Sequence, residues 1–267
     1  MKKSLLLFVS FAFVLPSFSQ EAPDLKDAFR LLEVWLDAQK DYEKIPGISV
    51  AIVRDQDLLW SEGLGLADIE SGNDAAPSTI YSICSISKLF TAISIMQLRD
   101  EGKLSLEDEV IKHLPWFTIK QTYQGSGPIT LRSLLTHSSG LPRQSNFPYW
   151  TGPDFDFPEM EAIRKQMDSL ETLYPASTYF QYSNFGLAIL GAVVESISGM
   201  SYEDYVSKNI LDVLDLKDTR PFMPADLLKA QLATGYSAIT RSGTRYAMDP
   251  FFTKGITAAA GFTSTVE

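Results

Sequence analysis

The stretch Ile83-Cys84-Ser85-Ile86-Ser87-Lys88-Leu89-Phe90 decides how this chain is read. A serine and a lysine three residues apart, where a helical pattern opens and runs on to Arg99, share one helix face about one turn apart. A serine hydroxyl is a weak nucleophile until a neighbouring base takes its proton. A desolvated lysine can serve, because burial disfavours the ammonium and lowers its pKa. The helix start adds backbone N–H groups that favour negative charge on a carbonyl oxygen. The spacing alone says little: with 28 serines and 14 lysines in the chain, chance gives about 1.5 such matches.

Two further stretches supply context. Tyr182-Ser183-Asn184 follows 97 residues after the serine, and with 11 tyrosines and 4 asparagines chance gives only about 0.16 Tyr-x-Asn matches. A phenol beside a lysine can be held as phenolate or relay a proton, and an asparagine can orient an amide by donating and accepting at once. Between them lies Leu134-Leu135-Thr136-His137-Ser138-Ser139-Gly140-Leu141. In this order the segments resemble the serine β-lactamase-related superfamily, which holds class C β-lactamases, D-Ala-D-Ala carboxypeptidases and esterase-like hydrolases. The resemblance runs from about Ile45 to the last residue. It takes in Tyr182-Ser183-Asn184-Phe185-Gly186, Ile210-Leu211 to Asp218-Thr219, and Ala260-Gly261-Phe262-Thr263-Ser264-Thr265-Val266.

The resemblance implies that Ser85 accepts the acyl group, that Lys88 and Tyr182 form the proton-transfer pair, and that Asn184 contacts the substrate's amide side chain. Either Lys88 or Tyr182 can be the formal base; a similar dispute exists for class A enzymes. Tyr-Ser-Asn, where class A enzymes carry Ser-Asp-Asn, places the chain nearer the class C and carboxypeptidase relatives. The family's third motif, a Lys-Thr-Gly or His-x-Gly strand that supplies the second oxyanion donor, is not found. Arg241-Ser242-Gly243 precedes the Ala260-Gly261 segment, whereas the third motif follows it in relatives, so it reads as a hairpin turn. Pro175-Ala176-Ser177 stands where relatives often show Pro-Gly, a change expected to touch only the loop. By the same resemblance His137 is a structural hydrogen-bonding residue rather than a catalytic base. His113 reads as a surface or helix-end residue, and Cys84 as a small buried hydrophobe.

Composition sets outer bounds. The 267 residues carry 23 Lys+Arg against 33 Asp+Glu, a formal charge of −10. That balance argues against nucleic-acid binding, which needs a basic footprint, and against electrostatic attachment to anionic lipid. One cysteine and two histidines leave no internal disulfide and no Cys/His zinc centre, and no metal or organic cofactor is implied. Lys2 and Lys3, the apolar run of residues 5–15 and the small residues around Ser17-Phe18-Ser19 read as a signal peptide over residues 1–19. The run is shorter than the roughly 20 residues of a membrane span. Cleavage near Ser19 predicts an exported protein, periplasmic or extracellular.

Periodicity places the remaining elements. Residues 24–44 carry an amphipathic stripe. Residues 48–53 and 58–60 flank Arg54-Asp55-Gln56-Asp57 as a hairpin. Gly102 is a C-cap candidate. Ser105 with Asp108 looks like a helix start, and Thr130 opens another short helix. Residues 146–158, rich in proline and aromatics, form a long loop; its rings either face a lipid or ligand or pack on one another. Residues 184–197 read as a buried helix closed by Gly199, with Ser201 and Asp204 capping the next.

The fold expected is mixed α+β: an antiparallel sheet flanked by helices, joined to a helical subdomain carrying Tyr182. Residues 20–267 form a β-lactamase/transpeptidase-like catalytic domain. The resemblance implies that its C-terminal strands, the third motif among them, lie beyond Glu267. A two- or three-stranded sheet with an open edge, an exposed Ser85, and an inactive, poorly soluble isolated span are then expected. The function expected is acyl transfer from an amide or ester to water through a Ser85 acyl-enzyme, on a small-molecule or peptide substrate. The alternative is a non-catalytic exported module of the same fold that binds cell-wall peptides or a partner.

Overall fold

The computed structural model describes residues 25–152 and 155–267; the expected signal peptide lies outside the described residues. Helix α1 (Lys26–Tyr42) leads into β1 (Gly47–Arg54) and β2 (Asp57–Asp68), an antiparallel pair in register from Gly47↔Gly65 to Arg54↔Asp57. Asp55 turns the hairpin at φ 57°, a left-handed backbone that aspartate tolerates better than most residues. Strand β3 (Asn73–Asp74) adds to the far side of β2, giving the sheet order β1-β2-β3. The expected small sheet is therefore three-stranded, and among the described residues β1 pairs on one side only. Helix α1 lies against β2, where Phe29 stacks on Trp60 at 5.8 Å.

The core sits in the helical part. Helix α2 (Ser87–Asp100) follows a 3-10 turn (Cys84–Ile86), and α6 (Asn184–Ser198) is buried over its first eleven residues. Eleven consecutive positions without a polar stripe suit a helix surrounded on all sides. Its neighbours are α2, α4 (Leu131–Leu135), α7 (Tyr202–Val206) and α8 (Thr257–Ala260). Gly191 makes the α6–α8 approach possible: a Cβ there would stand 2.6 Å from the Ala258 Cβ. Gly199 and Thr130 cap where the sequence places them, and Ser183 is a cap the sequence reading did not single out. Ser183 Oγ accepts the Gly186 N–H, Gly199 closes α6 at φ 72°, and Thr130 and Ser133 form a reciprocal capping box.

Strand β4 (Tyr81–Ser82) pairs with β7 (Thr263–Ser264), and Ile83 N–H donates to the Phe262 carbonyl. The residues just before Ser85 are thereby tied to those just after α8. Two expectations need correction. Ser105 and Asp108 do not open a helix: they form a turn in which Asp108 accepts the Ser105 N–H together with Lys112 and His113. The helix beyond, α3 (Val110–His113), starts after Glu109, whose side chain makes no capping hydrogen bond. The Asp108 carboxylate, already committed to side chains further along, closes a turn rather than a capping box. Nor is Cys84 buried. It is half-exposed, with a left-handed backbone at φ 44°.

The described part of the 146–158 loop, which leads into α5 (Met160–Lys165), packs its rings on one another and on Phe251. Tyr149 and Phe157 are buried, and Phe157 contacts Trp150 and Phe251 ring to ring at 4.9 and 5.9 Å. Arg241-Ser242-Gly243 forms the tip between β5 (Gly235–Tyr236) and β6 (Ala247–Met248), near the end of α1. It is a hairpin turn, as expected.

Candidate active site

Ser85 lies in the 3-10 turn that opens α2, and Lys88 in the first turn of the helix proper. Cys84 immediately before it holds the left-handed region that costs a non-glycine residue on the order of 1–3 kcal/mol and that recurs at functional sites. The turn is pinned from within. Ser87, fully buried, donates to the Cys84 carbonyl and accepts the Phe262 N–H at 3.0 Å. Thr91, one turn on, donates to the Ala258 carbonyl at 2.6 Å and meets the Tyr202 hydroxyl. Helix α2 is thus locked onto α8, and the reactive turn inherits that position.

Tyr182 precedes the Ser183 cap of α6 and brings its phenol oxygen to 2.8 Å from Ser85 Oγ. Lys88 Nζ lies 3.2 Å from the same Oγ, 2.8 Å from Asn184 Oδ1 and 2.7 Å from the Ala259 carbonyl. It also stands 4.8 Å from the centre of the Tyr182 ring. The four residues singled out in the sequence therefore converge, with Ser85 exposed, Lys88 and Tyr182 half-buried and Asn184 buried. Asn184 takes a place the sequence did not suggest. Its carbonyl oxygen is committed to Lys88, so a contact with substrate falls to its amide nitrogen.

Burial is the largest influence on Lys88 and draws its ammonium below 10.5; Arg143 pushes the same way and Tyr182 opposes. Burial alone would raise the Tyr182 phenol, but the hydrogen bonds with Lys88 and Ser85 and the Lys88 and Arg143 charges outweigh it, so the phenol sits below 10.0. One heavy-atom arrangement accommodates two proton distributions. As an ammonium, Lys88 gives one hydrogen each to Ser85, Asn184 and Ala259, while the serine proton turns to a phenolate. As an amine, it keeps two for Asn184 and Ala259 and receives the serine proton itself. Such a pair titrates as a unit, which is why residue identity leaves the formal base open.

Two participants carried no readable signal. The Ala259 carbonyl is backbone, silent in any sequence. Arg143, in the Leu141-Pro142-Arg143 run, places its guanidinium 5.1 Å from the Tyr182 ring centre, a contact only the fold creates. His137 accepts the Ser183 N–H through Nδ1 at 3.1 Å, the structural hydrogen bond that the sequence reading expected. His113 ends α3 with its side chain mostly buried against Asp108. Among the described residues no group of three or more His, Cys, Asp or Glu could hold a metal ion.

A helix-start serine bonded to a lysine one turn on and to a tyrosine from a facing helical layer defines the class of fold shared by serine β-lactamases and penicillin-binding proteins. The chain belongs to the beta-lactamase family, whose model matches residues 34–267. It is 31% identical over 194 residues to "Protein flp" of Staphylococcus aureus strain MW2, covering 68% of this chain and 36% of that protein. It is 31% identical over 221 residues to "Beta-lactamase-like protein 2" of Dictyostelium discoideum, covering 81% of this chain and 40% of that one. The octameric penicillin-binding protein homologue from Pyrococcus abyssi superposes with a TM-score of 0.75 at 33% identity, over 89% of this chain and 54% of that one. This chain thus spans well under half the length of the curated relatives it matches.

Proposed function

We propose that the protein is an exported serine hydrolase that forms an acyl-enzyme on Ser85 and hydrolyses a β-lactam, a D-amino-acid peptide or an ester. The observation that carries the reading is the Ser85 oxygen, held at 2.8 Å from the Tyr182 hydroxyl and 3.2 Å from Lys88 Nζ. The serine proton passes to the Lys88–Tyr182 pair as Oγ bonds to the substrate carbonyl carbon. The carbonyl oxygen takes the negative charge at the start of α2. Collapse expels the amine or alcohol, which leaves with a proton from the pair, and water then cleaves the Ser85 ester with the same pair as base. The similarity to a penicillin-binding protein homologue supports a β-lactam or peptide substrate.

Hydrolysis of p-nitrophenyl acetate and of a chromogenic cephalosporin, compared between the wild type and Ser85→Ala, tests this. Turnover of either, abolished in the variant, supports the reading. The alternative is a non-catalytic exported module that binds cell-wall peptides or a partner, and the lack of a Lys-Thr-Gly or His-x-Gly stretch after Ala260-Gly261 in these 267 residues favours it. It requires saturable peptide binding that Ser85→Ala leaves intact, with no turnover in the wild type.

A further inference from the structure

His137 follows α4 and grips four consecutive residues of the segment that carries Tyr182. Its carbonyl accepts the Gln181 N–H at 2.7 Å, and its Nδ1 accepts the Ser183 N–H at 3.1 Å. Its ring lies 4.6 Å from the Tyr182 ring, tilted by 37°, and meets Phe180 edge-on at 5.8 Å. The backbone of His137 adopts φ 56° to do so. Tyr182 is thereby bracketed by hydrogen bonds on both sequence neighbours and backed by an imidazole.

A backbone N–H can only donate, so Nδ1 must present a lone pair and the neutral ring must carry its proton on Nε2. A ring in that state has no second lone pair to offer Ser85, which removes it as the base. The ionisable groups around it are Tyr182 in ring contact, Lys88 on α2, and Arg143 on the face of Tyr182. Burial and the Lys88 charge keep the imidazole below its usual 6.5.

We propose that His137 is a positioning residue: as a neutral Nε2–H imidazole it holds the Ser183 amide and backs the Tyr182 ring, keeping the phenol oxygen on Ser85, and protonation of the ring releases that hold. This rests on the Ser85 hydrolase reading for its catalytic consequence and on geometry alone for the hold itself. Misplacing one reacting group by about 1 Å can lower a rate on the order of 10²-fold.

Two variants separate the hold from mere structure. His137→Asn keeps an oxygen acceptor and tolerates the left-handed backbone, whereas His137→Phe keeps an aromatic ring without an acceptor. With only two histidines in the chain, long-range nitrogen NMR resolves both rings, and His137→Asn identifies the signal. Expected are an unprotonated Nδ1 at pH 7 and a titration midpoint below 6.5. Carbon-labelled tyrosine, with Tyr182 assigned by Tyr182→Phe, should show the phenol below its ordinary 10.0 in the wild type and His137→Asn. In His137→Phe it should move back up. On p-nitrophenyl acetate, His137→Phe should lose about 10- to 100-fold in kcat with KM little changed, and His137→Asn should lose much less. His137→Asn should also show a shallower fall of kcat below pH 6.5. A protonated Nδ1 at pH 7, or a Tyr182 midpoint identical in all three proteins, overturns the proposal. A wild type that hydrolyses nothing while both titrations behave as expected removes the hydrolase reading and leaves the hold standing.

Discussion

Lys88 sits where three acceptors meet one nitrogen, and that crowding makes its protonation responsive to its neighbours. Replacing Lys88 by Ala or Tyr182 by Phe removes a proton carrier from the transition state, not a ground-state contact. Each change should lower kcat by about 10²–10⁴-fold with KM little altered; steady-state kinetics on a p-nitrophenyl ester measures both. The sign of the pH effect also follows. Lys88 lies below 10.5 through burial, with Tyr182 holding it up, so the rise of kcat/KM with pH reports loss of the pair's extra proton. In Tyr182→Phe that support is gone, and the rise should move to lower pH. A limb that stays in place, or moves to higher pH, contradicts the pairing.

At the scale of elements, the site depends on how closely α6 and α8 approach. Gly191 faces Ala258, one residue before the carbonyl that Lys88 holds. Gly191→Val drives branched carbons into a space already too small for one. It should destabilise by about 1–3 kcal/mol and, by pushing α8 outward, lower kcat as well. Denaturant melts with parallel kinetics test it, and a stability loss with wild-type turnover would show that Ala259 is dispensable. Ser183→Ala should cost about 1 kcal/mol from the lost cap of α6, read as a lower midpoint in the same melts.

The elements also show what was legible beforehand. Helix α6 declared itself through ten apolar or small positions from Phe185 to Val194 and the closing Gly199, and Ser85, Lys88 and Tyr182 through side-chain type and order. Strands β4 and β7, two residues each, are too short to leave a period of two. Ser105 and Asp108 mimicked a cap because the turn they form begins with the same hydrogen bond, Asp108 onto the Ser105 N–H. The acceptor from Ala259, the Arg143 contact and the ring contact of His137 with Tyr182 are products of tertiary packing, which no local pattern encodes.

Across the whole molecule, apolar surface is unevenly covered. Leu31, Val34 and Trp35 on α1 are more than half exposed, as is Val53 on β1, while α6 is buried from Asn184 to Val194. Among the described residues no single helix is long and apolar enough to cross a membrane. Acid stability rests on two carboxylates whose hydrogen bonds do not involve the Ser85 cluster. Hydrogen bonds from Thr234 and Ser71 hold Asp68 at about 2. Burial works against the Asp108 carboxylate, but bonds from Lys112, Ser105 and His113 outweigh it and bring it to about 2. Both lie below the usual 3.8, so each stabilises the fold above that value, and the contribution is lost as pH falls from 3.8 to about 2. Asp68→Asn should melt lower at pH 7 and flatten the decline in melting temperature across that acid window. An unchanged pH dependence would show that Asp68 is not linked to folding.

The most direct measurement is the mass of the intact protein after exposure to a fluorophosphonate or a penicillin, with the modified peptide mapped. A single adduct on Ser85, absent from Ser85→Ala, is the expected result. An adduct on any other serine, or one that persists in Ser85→Ala, would contradict acyl transfer through Ser85.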